Sequence, residues 1–213
     1  MITTDHTISN SVKIIAALAG PVTSLIQGII FWILIKNESG RNGYTLTGLW
    51  LCLFGFINFF GYLMLTPLST EGDTGKAAQL LQIPYPVKIF IAVLGLTTII
   101  LLVRKIAKHF SNFTPDQITI TVRRKYINNL ILFPIITGSI VNSLLAFPLP
   151  SILSVIYPAT SAYVILSAYG VILKAKNGIP SNSVLESEIS IPIIWILLSA
   201  FIVKSLLSGG VSL

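Results

Sequence analysis

Long uninterrupted apolar runs dominate the sequence. Residues 14–35, 42–70 and 126–173 contain no Asp, Glu, Lys or Arg, whereas a membrane-crossing helix needs about 20 mostly apolar residues. The third run is long enough for two helices joined at the Pro-rich stretch 147–151. Two shorter runs end at Lys or Arg, whose side chains can reach the membrane interface and lengthen a span. The pattern therefore predicts six spans, near 14–35, 45–67, 86–104, 127–147, 150–173 and 189–207.

The predicted fold is all-α: one polytopic membrane bundle covering residues 1–213. In lipid the backbone amides must be paired within the segment, and these runs are longer than the alternating strands of a barrel. Composition agrees, because 10% of the residues are charged against about 25% in soluble domains. We divide the chain into a three-helix part (14–103), a basic loop (104–126) and three further spans (127–213).

Positive charge gives the orientation. The net charge is +7, and segment 104–125 holds six of the 14 Lys and Arg residues. The positive-inside rule places this loop in the cytoplasm. With six spans, both termini are then outside, and the expected location is the cell membrane. Anionic lipid headgroups are the expected partners of 104–125, besides the bilayer itself. Nucleic acid is not an expected partner, because no recognition motif accompanies the charge.

The sequence carries little that indicates catalysis. Cys52 is the only cysteine, which excludes an internal disulfide, and the two histidines, His6 and His109, are expected on opposite sides of the membrane. Neither H-E-x-x-H, nor G-x-S-x-G, nor a P-loop occurs. No acidic residue lies inside a predicted span, which disfavours an ion-coupled carrier.

Polar and Pro residues within the spans have ordinary explanations. Gln27, Asn58 and Asn142 are expected to form hydrogen bonds between helices, and small residues such as Gly48, Gly55 and Gly61 to let helices approach closely. Four prolines interrupt 126–173 and indicate either simple kinks or broken helices that line a cavity; these are Pro134, Pro148, Pro150 and Pro158.

Two elements resemble a known family. Ala19-Gly20-Pro21 stands in the first apolar run, and Asn58, Pro67 and the stretch "EGDTGK" (71–76) follow in order. Residues 14–103 are thereby similar to site-2-protease-like intramembrane zinc metalloproteases. The resemblance implies that Asp73 corresponds to a zinc ligand. It also implies that Gly20, Pro21, Asn58, Pro67, Gly72 and Gly75 form the supporting motif. We further predict that Asp73 lies at the membrane surface near Gly20, where glycines 72 and 75 let the backbone turn back.

The chain departs from the family pattern at several positions. Two zinc-binding His residues with a Glu between them should precede Ala19, and they are absent from the 18 residues there. Ser24 stands where the family has Asn, and Thr74 separates Asp73 from Gly75. One carboxylate cannot replace the three ligands of a catalytic zinc site.

The function expected from these observations is that of a non-catalytic or N-terminally truncated relative of intramembrane metalloproteases. Such a relative would bind a transmembrane client without being an enzyme. It would need no cofactor, and zinc would bind only if another helix supplied the missing ligands. Two alternatives remain open: a small transporter or channel-like protein, and a structural membrane subunit. For "STEGDTGK" (69–76) the alternative is a plain polar loop.

Overall fold

The computed structural model describes residues 9–38, 42–70, 72–114, 119–145 and 153–174, and within these ranges all regular elements are helical. A 3₁₀ turn, Ser111–Phe113, follows the fourth helix, and a π-helical turn, Asn128–Leu132, joins the fifth and sixth helices. The α-helices are α1 (Asn10–Ile35), α2 (Gly43–Leu65), α3 (Asp73–Leu80), α4 (Tyr85–Phe110), α5 (Ile120–Ile127), α6 (Phe133–Leu145) and α7 (Leu153–Lys174).

Three helices are long and apolar enough to cross a membrane. They are α1, α2 and α4 with its 3₁₀ extension to Phe113, and they contain most of each of the first three predicted spans. The predicted fourth span, 127–147, lies largely in a helical stretch that the π turn divides, and the fifth coincides closely with α7. The sixth, 189–207, lies outside the described residues. The all-helical prediction is confirmed for the described part of the chain.

The first helix begins earlier than the apolar run. It starts at Asn10, so Pro21 lies well inside α1 and is buried. Pro21 therefore does not lie in the first turn of a helix, where the missing N–H of a proline is harmless. Proline within a helix leaves a carbonyl without its usual partner, and transmembrane helices tolerate this better when Ser and Thr side chains bond nearby carbonyls. Here Thr23 donates to the Ala19 carbonyl and Ser24 to the Gly20 carbonyl.

The basic segment is not a loop over most of its length. Helix α4 continues past Arg104 to Phe110, and α5 begins at Ile120. The prediction of a loop over 104–126 is therefore wrong where these helices lie, and α4 extends past residue 104, the predicted end of the third span. The helix continues because Ile106, Ala107 and Phe110 are buried on one face, so packing outweighs the charges on the other face.

The stretch expected as a loop after α2 contains a short helix. The α3 helix begins at Asp73 and ends in a Schellman motif, in which the Ile83 amide donates to the Ala78 carbonyl. Gln82 has the left-handed conformation that this motif requires, with φ 53°. The plain-loop alternative for 69–76 is therefore wrong over 73–76. Helix α4 follows with Pro86 in its first turn, where proline fits.

A π turn precedes Pro134. The Phe133 amide donates to the carbonyl of Asn128, five residues back. A wider turn makes room for the Pro134 ring, which would otherwise press on the preceding turn. The Tyr169 hydroxyl donates to the Asn128 side chain at 2.8 Å and ties this turn to α7. Pro134 is thus accommodated within a helical stretch, Pro158 lies within α7, and Pro148 and Pro150 are outside the described residues.

The core lies around α2 and α4. Helix α2 packs against α1 and α4, and α4 packs against α7. Fully buried side chains include Leu53, Ile106 and Ile172. The outer faces of α1 and α4 carry large exposed apolar side chains, a surface that lipid covers favourably and water does not. Among these are Ile15, Ile29, Ile33, Phe90, Val93, Leu94 and Leu101.

Candidate functional site

Glycines set the distance between α1 and α2. A Cβ on Gly55 would lie 2.5 Å from the Gly28 amide nitrogen and 2.6 Å from the Ser24 carbonyl oxygen. A Cβ on Gly48 would lie 2.7 Å from a methyl group of Ile35. The prediction that small residues let helices approach closely is confirmed at Gly48 and Gly55. The close contact brings the polar groups of the two helices within hydrogen-bonding distance.

Two side-chain amides connect these helices. The Gln27 amide donates to the Leu51 carbonyl at 3.0 Å, and the Asn58 amide donates to the Ser24 hydroxyl at 2.6 Å. Ser24 in turn donates to the Gly20 carbonyl at 3.1 Å. The predicted interhelical hydrogen bonds of Gln27 and Asn58 are confirmed, while the side chain of Asn142 is outside the described part. Hydrogen bonds therefore run from Asn58 on α2 through Ser24 to Gly20, in the N-terminal half of α1.

Buried threonines attach α3 to the end of α2. The Thr66 hydroxyl donates to the Thr74 hydroxyl at 2.9 Å, and Thr74 donates to the Tyr62 carbonyl at 2.7 Å. Both threonines are buried. Helix α2 ends at Leu65, two residues before the predicted end of the second span, so Pro67 lies in the turn that leads back toward α3.

Of Gly72 and Gly75, only Gly75 is required by this turn. A Cβ on Gly75 would overlap the carbonyl oxygen of Ser69, so the turn passes directly against α3. Gly72 is different: its φ of −70° suits other residues, and the nearest atom to an added Cβ is 4.0 Å away. The expectation that both glycines are needed is right for Gly75 and wrong for Gly72.

These contacts place Asp73 beside the Ala-Gly-Pro segment. A carboxylate oxygen of Asp73 lies 3.8 Å from the position of a Cβ on Gly20. Asp73 is half-buried and Gly20 is exposed. The Tyr62 side chain lies close enough to the Asp73 carboxylate to interact with it electrostatically. The structure thus joins Gly20, Ser24, Asn58, Tyr62 and Asp73 in one polar site, which we call the Asp73 site.

Sequence reasoning missed Tyr62 and Thr74. Tyr62 follows Asn58 by four residues, so both lie on the same face of α2. This spacing was the available signal for Tyr62, while nothing in the sequence marked the burial of Thr74.

The Asp73 site holds one candidate metal ligand. Within the described ranges, no three His, Cys, Asp or Glu side chains group closely enough to hold a metal ion. His109 lies near the C-terminal end of α4, against Trp32, and His6 is outside the described residues. A zinc ion at Asp73 would need further ligands from outside the described residues, because zinc sites use three or four protein ligands.

A second cluster lies toward the C-terminal ends of α1 and α4. The Trp32 and His109 rings meet edge to face with centroids 5.3 Å apart, and the Lys105 ammonium lies 5.5 Å from the centre of the Trp32 ring. Lys105 and His109 are four residues apart, so they share one face of α4. That spacing was visible in the sequence, but nothing there indicated Trp32 as their partner.

Comparison with known proteins leaves the resemblance without independent support. No family model, no curated protein and no solved structure matches the chain. The relation to intramembrane metalloproteases therefore stays a prediction.

Proposed function

We propose that the chain is a multi-pass integral membrane protein of six spans with its 104–125 region in the cytoplasm. Three long apolar helices support this proposal, as do the large apolar side chains exposed on α1 and α4. The distribution of charge supports the orientation. Lys36 and Lys105 lie toward one end of the helices, and Lys13 and Lys88 toward the other.

Within this protein, we infer that the α1–α3 unit is a relative of the Asp-bearing part of site-2-protease-like metalloproteases. The observation that carries the inference is the approach of Asp73 to Gly20. The family resemblance implies that these two elements flank one site, and they are more than 50 residues apart in sequence. A solvated connecting loop would not be expected to hold the Asp73 carboxylate against the middle of α1.

The proposed role of this relative is to bind a transmembrane client without cleaving it. Gly20 is exposed and has no side chain, so another helix can approach the backbone of α1 closely there. The half-buried Asp73 supplies a polar group beside it. In membranes, small residues permit close helix contact and polar side chains add hydrogen bonds. A client helix with a polar residue would satisfy both features at the Asp73 site.

Site-specific photo-crosslinking tests this role. A photoreactive amino acid at position 20 is compared with one at Val93, an exposed apolar position on α4. We expect a protein crosslink at position 20 that is lost on Asp73→Ala, with only lipid adducts at position 93. Equal protein crosslinking at both positions, or insensitivity to Asp73→Ala, would contradict client binding and leave a structural subunit as the better proposal.

Zinc analysis tests the non-catalytic part of the proposal. We expect the purified 213-residue protein to contain much less than one zinc per chain, because Asp73 alone is one ligand where three are needed. Asp73→Asn should leave the zinc content unchanged. Stoichiometric zinc that disappears in Asp73→Asn would show instead that the site is a metal centre.

A further inference from the structure

Basic residues collect at one end of the helices. Trp32 of α1 contacts Lys105 and His109 of α4, so the C-terminal ends of these two helices lie together. The Arg123 guanidinium lies 3.4 Å from the Ile172 carbonyl, near the end of α7. We call this the basic end, and it carries Lys36, Arg104, Lys105, Lys108, Arg123, Arg124, Lys125 and Lys174.

Few acidic residues in the described part of the chain could neutralise the positive charge of this end. Glu38 is the only acidic residue that the structure describes there, and the described Lys residues elsewhere are Lys13, Lys76 and Lys88. The lysine side chains at positions 36, 105 and 108 are exposed. Like charges held close together repel one another unless an anion lies between them. The basic end is therefore suited to bind an anion from its surroundings.

Trp32 gives this end a defined position relative to a bilayer. Its ring contacts both the Lys105 ammonium and the His109 ring, and Lys36 follows one helical turn later. Tryptophan favours the headgroup level of a membrane. Lysine near that level binds phosphate as a point charge. An acyl chain would lie along the exposed apolar faces of α1 and α4, with its phosphate beside Lys36 and Lys105.

We propose that Lys36 and Lys105, beside Trp32, form a headgroup site for an anionic phospholipid. The other basic residues of this end add non-specific attraction to the same leaflet. The proposal rests on the membrane insertion proposed above. It differs from the sequence-based expectation, because α1 contributes Lys36 and Trp32, which lie outside 104–125.

Lipid retention tests the site directly. The full chain is reconstituted into bilayers of phosphatidylcholine and phosphatidylglycerol and then extracted in mild detergent. The two lipids that remain bound are quantified by mass spectrometry. The double variant Lys36→Gln/Lys105→Gln is compared with the matched control Lys13→Gln/Lys88→Gln, which removes the same charge from the opposite end. Thermal unfolding in phosphatidylcholine alone shows whether each variant folds.

The expected result is enrichment of phosphatidylglycerol over its share of the bilayer. The Lys36/Lys105 variant should reduce that enrichment by about fivefold for each lysine, and the Lys13/Lys88 control should retain it. Added salt should weaken retention, because both lysines are exposed and salt screens exposed charges. Equal retention of both lipids by the wild type, or equal loss in both variants, overturns the headgroup site.

Alkaline carbonate extraction separates this failure from failure of the membrane proposal. A protein that stays in the bilayer but shows no lipid preference contradicts the headgroup site alone. A protein released by carbonate contradicts membrane insertion itself.

Discussion

At Gly55 the backbones of α1 and α2 come closer than a side chain would allow. Replacing Gly55 by Ala places a methyl group against the backbone of Gly28 and Ser24. Neither neighbour can rotate away, so the helices must separate. We expect the free energy of unfolding to fall by about 1–3 kcal/mol, measured by titration with denaturing detergent in mixed micelles.

Gly138→Ala is the matched control, because among the described residues no atom outside the neighbouring helix backbone lies within 4 Å of a Cβ at that position in α6. Alanine is the better helix former by about 1 kcal/mol, so this variant should be as stable as the wild type or more so. If both variants lower stability equally, the α1–α2 contact is not as close as described.

The hydrogen bond from Asn58 to Ser24 should appear as coupling between the two residues. A double-mutant cycle of Ser24→Ala and Asn58→Ala is expected to give a coupling free energy of about 0.6 kcal/mol, and no more than about 1.7 kcal/mol. The same unfolding titration measures it. Thr137 donates to the Phe133 carbonyl in its own helix, so an Asn58→Ala/Thr137→Ala cycle should be additive. Coupling of equal size in both cycles would show a general loss of packing.

At the scale of an element, α3 depends on its C-terminal turn. Gln82 holds the left-handed conformation at φ 53°, which costs a residue with a Cβ about 1–2 kcal/mol. We therefore expect Gln82→Gly to stabilise α3 by up to about 1 kcal/mol, after the greater freedom of glycine in the unfolded chain is counted. Slower hydrogen exchange of the α3 amides would show it.

A neighbouring glutamine supplies the control for this prediction. Gln79 is also exposed but lies within α3, so Gln79→Gly should speed the exchange of the same amides, by the equivalent of about 1 kcal/mol. Faster exchange in both variants would mean that Gln82 is not in the left-handed region.

The sequence predicts a helix or a contact of this chain correctly where a single local physical rule determines it. The apolar runs of α1, α2 and α4 predict long helices, because a segment that crosses lipid must pair its backbone amides within itself. Asn58, an amide in an apolar run, predicts a hydrogen-bond partner on another helix. The Asp73–Gly20 approach came only from a family resemblance. Helix α3, the π turn at Asn128–Leu132 and the extension of α4 to Phe110 depend on tertiary contacts. The burial of Thr74 and Phe110 is not visible in local sequence.

At the scale of the whole molecule, the orientation can be measured with single cysteines. We expect Lys76→Cys to react with a membrane-impermeant maleimide in intact cells, and Arg124→Cys to react only after the membrane is opened. Both positions are exposed, whereas Thr114, in the same basic segment, is fully buried and unsuitable. The excess of Lys and Arg near Arg124 is the physical reason. Labelling of Arg124→Cys in intact cells would show that the protein has the opposite orientation in the membrane.

The burial of the natural cysteine simplifies such labelling. Cys52 is completely buried in the core of α2, and a thiol that reagents cannot reach does not react with them. The natural sequence therefore gives no cysteine labelling of its own, and an added surface cysteine would be the only labelled position. Pairs of spin labels or fluorophores can be attached at surface positions of α1, α3 and α4 without first truncating a core side chain. Distances between those labels in a native bilayer would then report directly how the helices are arranged there.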